Sequence, residues 1–155
     1  MAGEDKIKQE LTERFGYLKD AVTIQRERRI IVESPAANFA EVFDYLVNKM
    51  GFSGLSAITG MDEVTGFAVI YHLTREGSIV LNLRIRVPRE NPSIKTVTQY
   101  FPAADAYERE LADLLGIKID GLTINHHYPL PDGWPEGQYP LRKDWHNSAS
   151  GEQKD

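Results

Sequence analysis

The sequence predicts an α+β domain, with helices packed on an antiparallel or mixed sheet and an irregular, proline-rich C-terminal arm. Three observations predict it. Apolar residues recur at helical spacing near the N-terminus and again at 107–115, so helices stand on both sides of the middle region. That middle holds strand-like runs joined by short turns. From Gly121 onward, Pro129, Pro131, Gly133, Pro135, Gly137 and Pro140 leave no room for a regular element. The 155 residues make one domain's worth of chain. The expected division is an α+β domain over 1–120, an extended arm over 121–147 and a solvated tail over 148–155.

Each element has its own signal. Ile7, Leu11 and Phe15 fall at i, i+4, i+8 and predict a helix from Glu4 to Phe15. Ala21–Ile24 and Arg29–Val32 are β-branched runs flanking the polar Gln25–Arg28, a hairpin. Asn38 is placed to cap a helix reaching Met50, with Phe39, Val42, Phe43, Leu46 and Val47 inward and Gly51 at its end. Leu55–Met61, Phe67–Leu73 and Ser78–Val87 read as three strands. In the last, Ile79, Leu81, Leu83, Ile85 and Val87 alternate with the other residues. Their short connections predict an antiparallel meander. Ser93 is expected to cap a short helix to Tyr100, which Pro102 breaks. Tyr107, Leu111, Leu114 and Leu115 mark the strongest helix, from Ala103 to Leu115, stopped by Gly116.

Composition excludes several chemistries. There is no cysteine, hence no disulfide, no thiol nucleophile, no cysteine-held zinc and no iron–sulfur cluster on this chain's own thiolates. The net charge of −5 argues against neutralising the phosphates of nucleic acid. No run approaches ~18 apolar residues, and Met1–Asp5 lacks the apolar run of a secretory signal, so a cytoplasmic chain is expected. No phosphate-cradling or nucleophile-elbow motif occurs.

Four groups of residues could carry chemistry or contacts. Asp105, Arg109 and Asp113 form a charged stripe on the last helix, either a solvated face or a docking surface built on arginine's fork. Glu108 and Glu110, at i, i+2, do not face each other as a catalytic pair would. His126 and His127, with Asp132 and His146, are the remaining metal candidates, though adjacent histidines rarely reach one ion. His72 sits in a strand pattern and reads as structural. Trp134 and Trp145 bracket the proline-rich segment, as a wrap over the chain's own core or as anchors for a partner. Leu141, Arg142, Lys143 and Asp144 make a compact mixed arm, pinned to its own domain or crossing to another subunit. There Arg142 and Lys143 are expected to face solvent unless a carboxylate holds them.

Three motifs occur in order: Glu108-Arg109-Glu110-Leu111-Ala112-Asp113-Leu114-Leu115 before Gly116-Ile117, then Leu130-Pro131-Asp132-Gly133-Trp134-Pro135, then Pro140-Leu141-Arg142-Lys143-Asp144-Trp145. Together they resemble the 30 kDa subunit family of respiratory complex I, the NADH:quinone oxidoreductase. Shorter relatives in that family occur in energy-converting hydrogenases and in ferredoxin- or F420-linked complexes. Where the family usually reads His-Pro-Asp-Leu-Arg-Arg, this chain has Leu122-Thr123-Ile124-Asn125-His126-His127, histidines in place of fixed charge. The resemblance implies a non-catalytic scaffold in a peripheral arm on the inner face of the cell membrane, touching the membrane only through its complex. It implies packing against the large quinone-site subunit (or a hydrogenase large subunit) and neighbouring iron–sulfur subunits. NADH, quinone and iron–sulfur clusters, or nickel–iron, would then belong to those partners, with no cofactor on this chain. The partner interface is expected at Asp105, Glu108, Arg109, Glu110, Asp113, Trp134, Leu141, Arg142, Lys143 and Asp144. The competing reading is a stand-alone metal-dependent hydrolase built on His126, His127 and Asp132.

Overall fold

The computed structural model describes residues 3–76 and 78–146, so the tail expected at 148–155 lies outside the described residues. Five strands form one mixed sheet in the order β1-β2-β5-β4-β3. β1 (Val22–Arg26) and β2 (Arg29–Glu33) are the hairpin expected from sequence. β3 (Gly54–Asp62), β4 (Gly66–Arg75) and β5 (Ile79–Pro88) are the antiparallel meander. The two units join through a parallel pairing that sets Ile30 beside Leu81 and Val32 beside Leu83. All four of these side chains are buried, and that shared apolar face fixes the register.

The three helices cover one face of the sheet. α1 (Gly3–Arg14) buries Ile7 and Leu11. α2 (Phe39–Asn48) lays Phe39 and Phe43 on Tyr71 of β4, with ring centroids 4.7 and 5.5 Å apart. Its Tyr45 meets Phe15 edge-on and donates to Glu10 on α1. α3 (Ala104–Leu115) packs on β3, where a Cβ on Gly60 would come within 2.5 Å of Leu111 and Leu115, so a larger residue there would have to displace those two leucine side chains. No helix among the described residues covers the opposite face, where Ile31, Asn82 and His72 lie in one row and Arg84, Ile70 and Thr59 in the next. His72 bridges Asn82 at 2.7 Å and Thr59 at 2.8 Å, a structural role.

Two sequence expectations are corrected. Asn38 does not cap α2 with a side-chain bond to the backbone. It ends a 3₁₀ turn over Ala36–Asn38, and its amide donates to Glu41 at 3.0 Å. The helix expected from Ser93 is a strand, β6 (Ser93–Lys95), paired in parallel with β7 (Lys118–Asp120). Ile94 and Ile119, opposite each other in that pair, are both buried, which a strand register achieves directly. The β-branched Thr96, Val97 and Thr98 follow and favour extended backbone. Among the described residues after Asp120 there is no helix or strand.

Candidate partner-docking site

α3 ends at Gly116, whose φ of +74° turns the chain back on itself. The arm then returns over the helix. Its hold on the domain explains where the charged residues of α3 go. Glu108 is fully buried, accepting from the Val97 N–H at 2.7 Å and the Thr96 hydroxyl at 2.6 Å. Burial pushes its carboxyl up from the ordinary value, and these two donors oppose that shift. Asp113 is buried too. It accepts from His127 Nδ1 at 2.6 Å and from the Leu130 N–H at 3.0 Å. A carboxylate only accepts, so the proton of that pair sits on Nδ1. The same hydrogen bond raises the His127 pKa, against the opposing pull of desolvation. Arg109 binds Asp105 at 2.7 Å and the Thr123 carbonyl at 3.0 Å.

The end of the arm closes on the C-terminus of α3. The Leu141 N–H donates to the Leu114 carbonyl at 3.0 Å, and Arg142 Nε to the Leu115 carbonyl at 2.7 Å. A cation placed on the last free carbonyls of a helix satisfies them and meets the negative end of its dipole. The Arg142 guanidinium also lies over Tyr139 (4.5 Å) and Phe67 (5.2 Å). Its expected solvent-facing position is therefore corrected: an aromatic slot and a helix-end carbonyl draw it in.

A second fastening lies at Asp62, the last residue of β3. Its carboxylate receives Arg89 Nη1 at 2.7 Å, the Val64 N–H at 2.8 Å and the Lys143 N–H at 2.8 Å. Burial alone would raise this carboxyl, but the three donors outweigh it and hold the pKa down to about 2. Arg89 also binds Asp144 at 3.0 Å. Asp62 and Arg89 were not singled out in the sequence. A lone acid at a strand end reads as a turn residue, and only the arm's return gives it partners.

The expected interface residues thus divide. Glu108 and Asp113 are internal, and Asp105, Arg109 and Arg142 are largely engaged within the chain. Trp134 and Trp145 lie 6.1 Å apart and both indoles donate to Gln138, so they wrap the arm around itself. Glu110, Leu141, Lys143 and Asp144 remain at the surface, with Glu110 and Leu141 on a shallow cleft of about 240 Å³ between β3 and α3. His126 bonds Asn125 and His127 bonds Asp113. Among the described residues no three histidine or acidic side chains converge as metal ligands do.

The family model for the respiratory-chain NADH dehydrogenase 30 kDa subunit matches residues 32–150. The chain is 38% identical over 109 residues to formate hydrogenlyase subunit 5 of Escherichia coli (strain K12), covering 67% of this chain but only 19% of that protein. It is 30% identical over 142 residues to the C subunit of the F(420)H(2) dehydrogenase of Methanosarcina mazei, covering 90% of this chain and 89% of that one. It is 31% identical over 156 residues to the C/D subunit of the NADH-quinone oxidoreductase of Shigella flexneri, covering 92% of this chain and 26% of that protein. Among solved structures, a chain of the membrane-bound sulfane sulfur reductase, an archaeal respiratory membrane complex, superimposes with a TM-score of 0.81. Its identity is 26%, and 94% of this chain and 86% of that one are covered.

Proposed function

The chain belongs to the family of the 30 kDa subunit of respiratory-chain NADH dehydrogenase, and from that premise we propose that it is a non-catalytic scaffold. It packs against the large, quinone-site-type subunit of an NADH:quinone oxidoreductase or of a related hydrogenase-like or F420-linked complex. One observation carries this reading. A segment like this one occupies about a quarter of a protein named as a joint C/D subunit, so two subunits work side by side in one chain there. The geometry agrees: the polar side chains of α3 and the arm are spent on fastening the chain to itself, which suits a rigid spacer. Glu110, Leu141, Lys143 and Asp144 are the expected interface residues left for that partner. No helix among the described residues is long and apolar enough to cross a membrane, so membrane association would come through the complex, on its inner, cytoplasmic side. NADH, quinone and iron–sulfur or nickel–iron centres belong, in this reading, to the partner subunits.

The test is co-expression of the full chain with a tagged large subunit from the same genome, followed by size-exclusion chromatography. A stoichiometric complex is expected. Separate elution of both proteins at micromolar concentration would overturn the reading.

A further inference from the structure

Among the described residues four acidic side chains are buried: Glu4, Asp62, Glu108 and Asp113. Three of them have a basic partner. Asp62 binds Arg89, Asp113 binds His127, and Glu4, which accepts the Arg28 N–H, lies within reach of the Arg28 charge. Glu108 is the most deeply buried of the four, at 0% exposure, and its hydrogen bonds come from Thr96 and Val97, with none from a basic group. Its neighbour Arg109 turns instead to Asp105 and the Thr123 carbonyl. A buried ionised carboxyl without an opposite charge is costly, and such a group meets that cost by holding its proton.

The titratable groups that face Glu108 push the same way. Asp105, about one turn back on α3, adds a like charge to the effect of burial. Tyr71, on β4, is buried with its hydroxyl unpartnered among the described residues. Burial keeps that phenol protonated, and the Glu108 charge adds to the effect. On the segment after β6, Tyr100 turns its hydroxyl to Asp44 of α2 at 2.8 Å, and Thr96, Val97 and Thr98 carry no charge. The two donors to Glu108 do not require it to be ionised. Either form of the carboxyl can accept the Val97 N–H at Oε1. At Oε2 the partner is the Thr96 hydroxyl, 2.6 Å away, which donates or accepts by turning. Thr96 Oγ1 also lies 2.8 Å from Thr98 Oγ1 and accepts the Thr98 N–H at 3.2 Å, so its hydrogen has a second place to go.

We infer that Glu108 is a proton-binding site built into the core, which takes a proton from water at a pH where ordinary carboxyls are charged, its bond to Thr96 reversing direction as the proton arrives. In the charged state the Thr96 hydroxyl donates to Oε2. On uptake the new O–H forms at Oε2 and donates to Thr96 Oγ1, while the Thr96 hydrogen turns to Thr98 Oγ1. Thr96 Oγ1 then accepts from Glu108 and from the Thr98 N–H, one for each lone pair. No heavy atom has to move, so α3 stays fastened to the 96–98 segment in both states. The site needs no partner subunit and stands apart from the scaffold reading.

The test is a carboxyl NMR titration of the full chain labelled with carbon-13, joined to urea unfolding of two variants. The Glu108 carboxyl should titrate above the 4.5 of an ordinary glutamate, and a midpoint at or below 4.5 refutes the site. Glu108→Gln mimics the protonated acid: its amide oxygen accepts the Val97 N–H and its amide nitrogen donates to Thr96 Oγ1. At neutral pH it should be at least as stable as the wild type. Glu108→Ala leaves the Val97 N–H without an acceptor and should be markedly less stable. The folded-state midpoint is raised, so the wild type should lose stability relative to Glu108→Gln as the pH rises from 4.5 through that midpoint, and the gap should then level off. If Glu108→Gln is as unstable as Glu108→Ala, the fold requires the carboxylate and the proposal fails. A gap between wild type and Glu108→Gln that does not change with pH would also overturn it.

Discussion

Asp62→Ala should unfasten three segments at once. The Asp62 side chain is 1% exposed, and it joins Arg89 after β5, the 63–65 turn and the arm at Lys143. A carboxyl held at about 2 against an ordinary 3.8 contributes roughly 2.5 kcal/mol of stability, at about 1.4 kcal/mol per pKa unit. Its folded pKa is depressed, so that contribution is fully present above about pH 4. It fades as the pH falls through about 2. Truncation costs more than protonation, because it leaves Arg89 short of a partner and two N–H groups with no acceptor. Breaking a buried pair in this way costs about 3–5 kcal/mol. Urea unfolding at pH 7 reads the loss by linear extrapolation. Trypsin reads the arm, since Arg142 and Lys143 become accessible once Asp62 no longer holds the strand beside them. A loss under about 1 kcal/mol together with unchanged cleavage at those two sites would refute the fastening.

Leu111→Ala should cost about 2–5 kcal/mol in the same urea assay, because the side chain fills the contact with Gly60 and leaves a cavity there; a cost under about 1 kcal/mol would show that the α3–β3 contact collapses freely. His127 should titrate above 6.5 by NMR, because its bond to Asp113 favours the charged ring. Its folded pKa is raised, so its contribution is whole below about pH 6.5 and is lost as the pH climbs through the raised value. In Asp113→Asn that upward displacement should vanish, and a His127 pKa at or below 6.5 in the wild type would contradict the pairing.

The parts of the fold legible in the sequence were those whose own residues carry the pattern. Ile7 and Leu11 lie one helical turn apart, and Leu81, Leu83, Ile85 and Val87 alternate along β5. In each case burial repeats the period of the element. β6 and β7 were not legible, since three residues hold less than two strand periods and their pairing joins positions 25 residues apart. The helix expected there rested on a cap and a proline, two local signals that tertiary pairing outweighed. The site was legible in its members and not in its geometry. Helical spacing put Asp105, Arg109 and Asp113 on one stripe of α3, but it could not say that the arm comes back over that stripe and takes Asp113 and Arg142 inward.

That return has a physical reason that reaches beyond α3. An irregular segment forms no ladder, so each N–H it buries needs an acceptor from somewhere else. In this chain carboxylates supply several of them, beside backbone carbonyls such as that of Leu114. Glu108 takes the Val97 N–H, Asp113 the Leu130 N–H and Asp62 the Lys143 N–H. Each belongs to a helix or strand of the rigid layer, and each acceptor faces a stretch without regular structure of its own. The acidic character of the signature helix is therefore largely an internal demand of the fold. Charge spacing on such a helix marks which residues are needed, but it does not separate those that bind a partner from those that bind the chain itself. The separation comes from asking which acceptors are already filled. By that measure the filled carboxylates of α3 drop out as docking residues. What remains at the surface is Glu110 and Leu141 on their shared cleft, with Lys143 close to Leu141 in sequence.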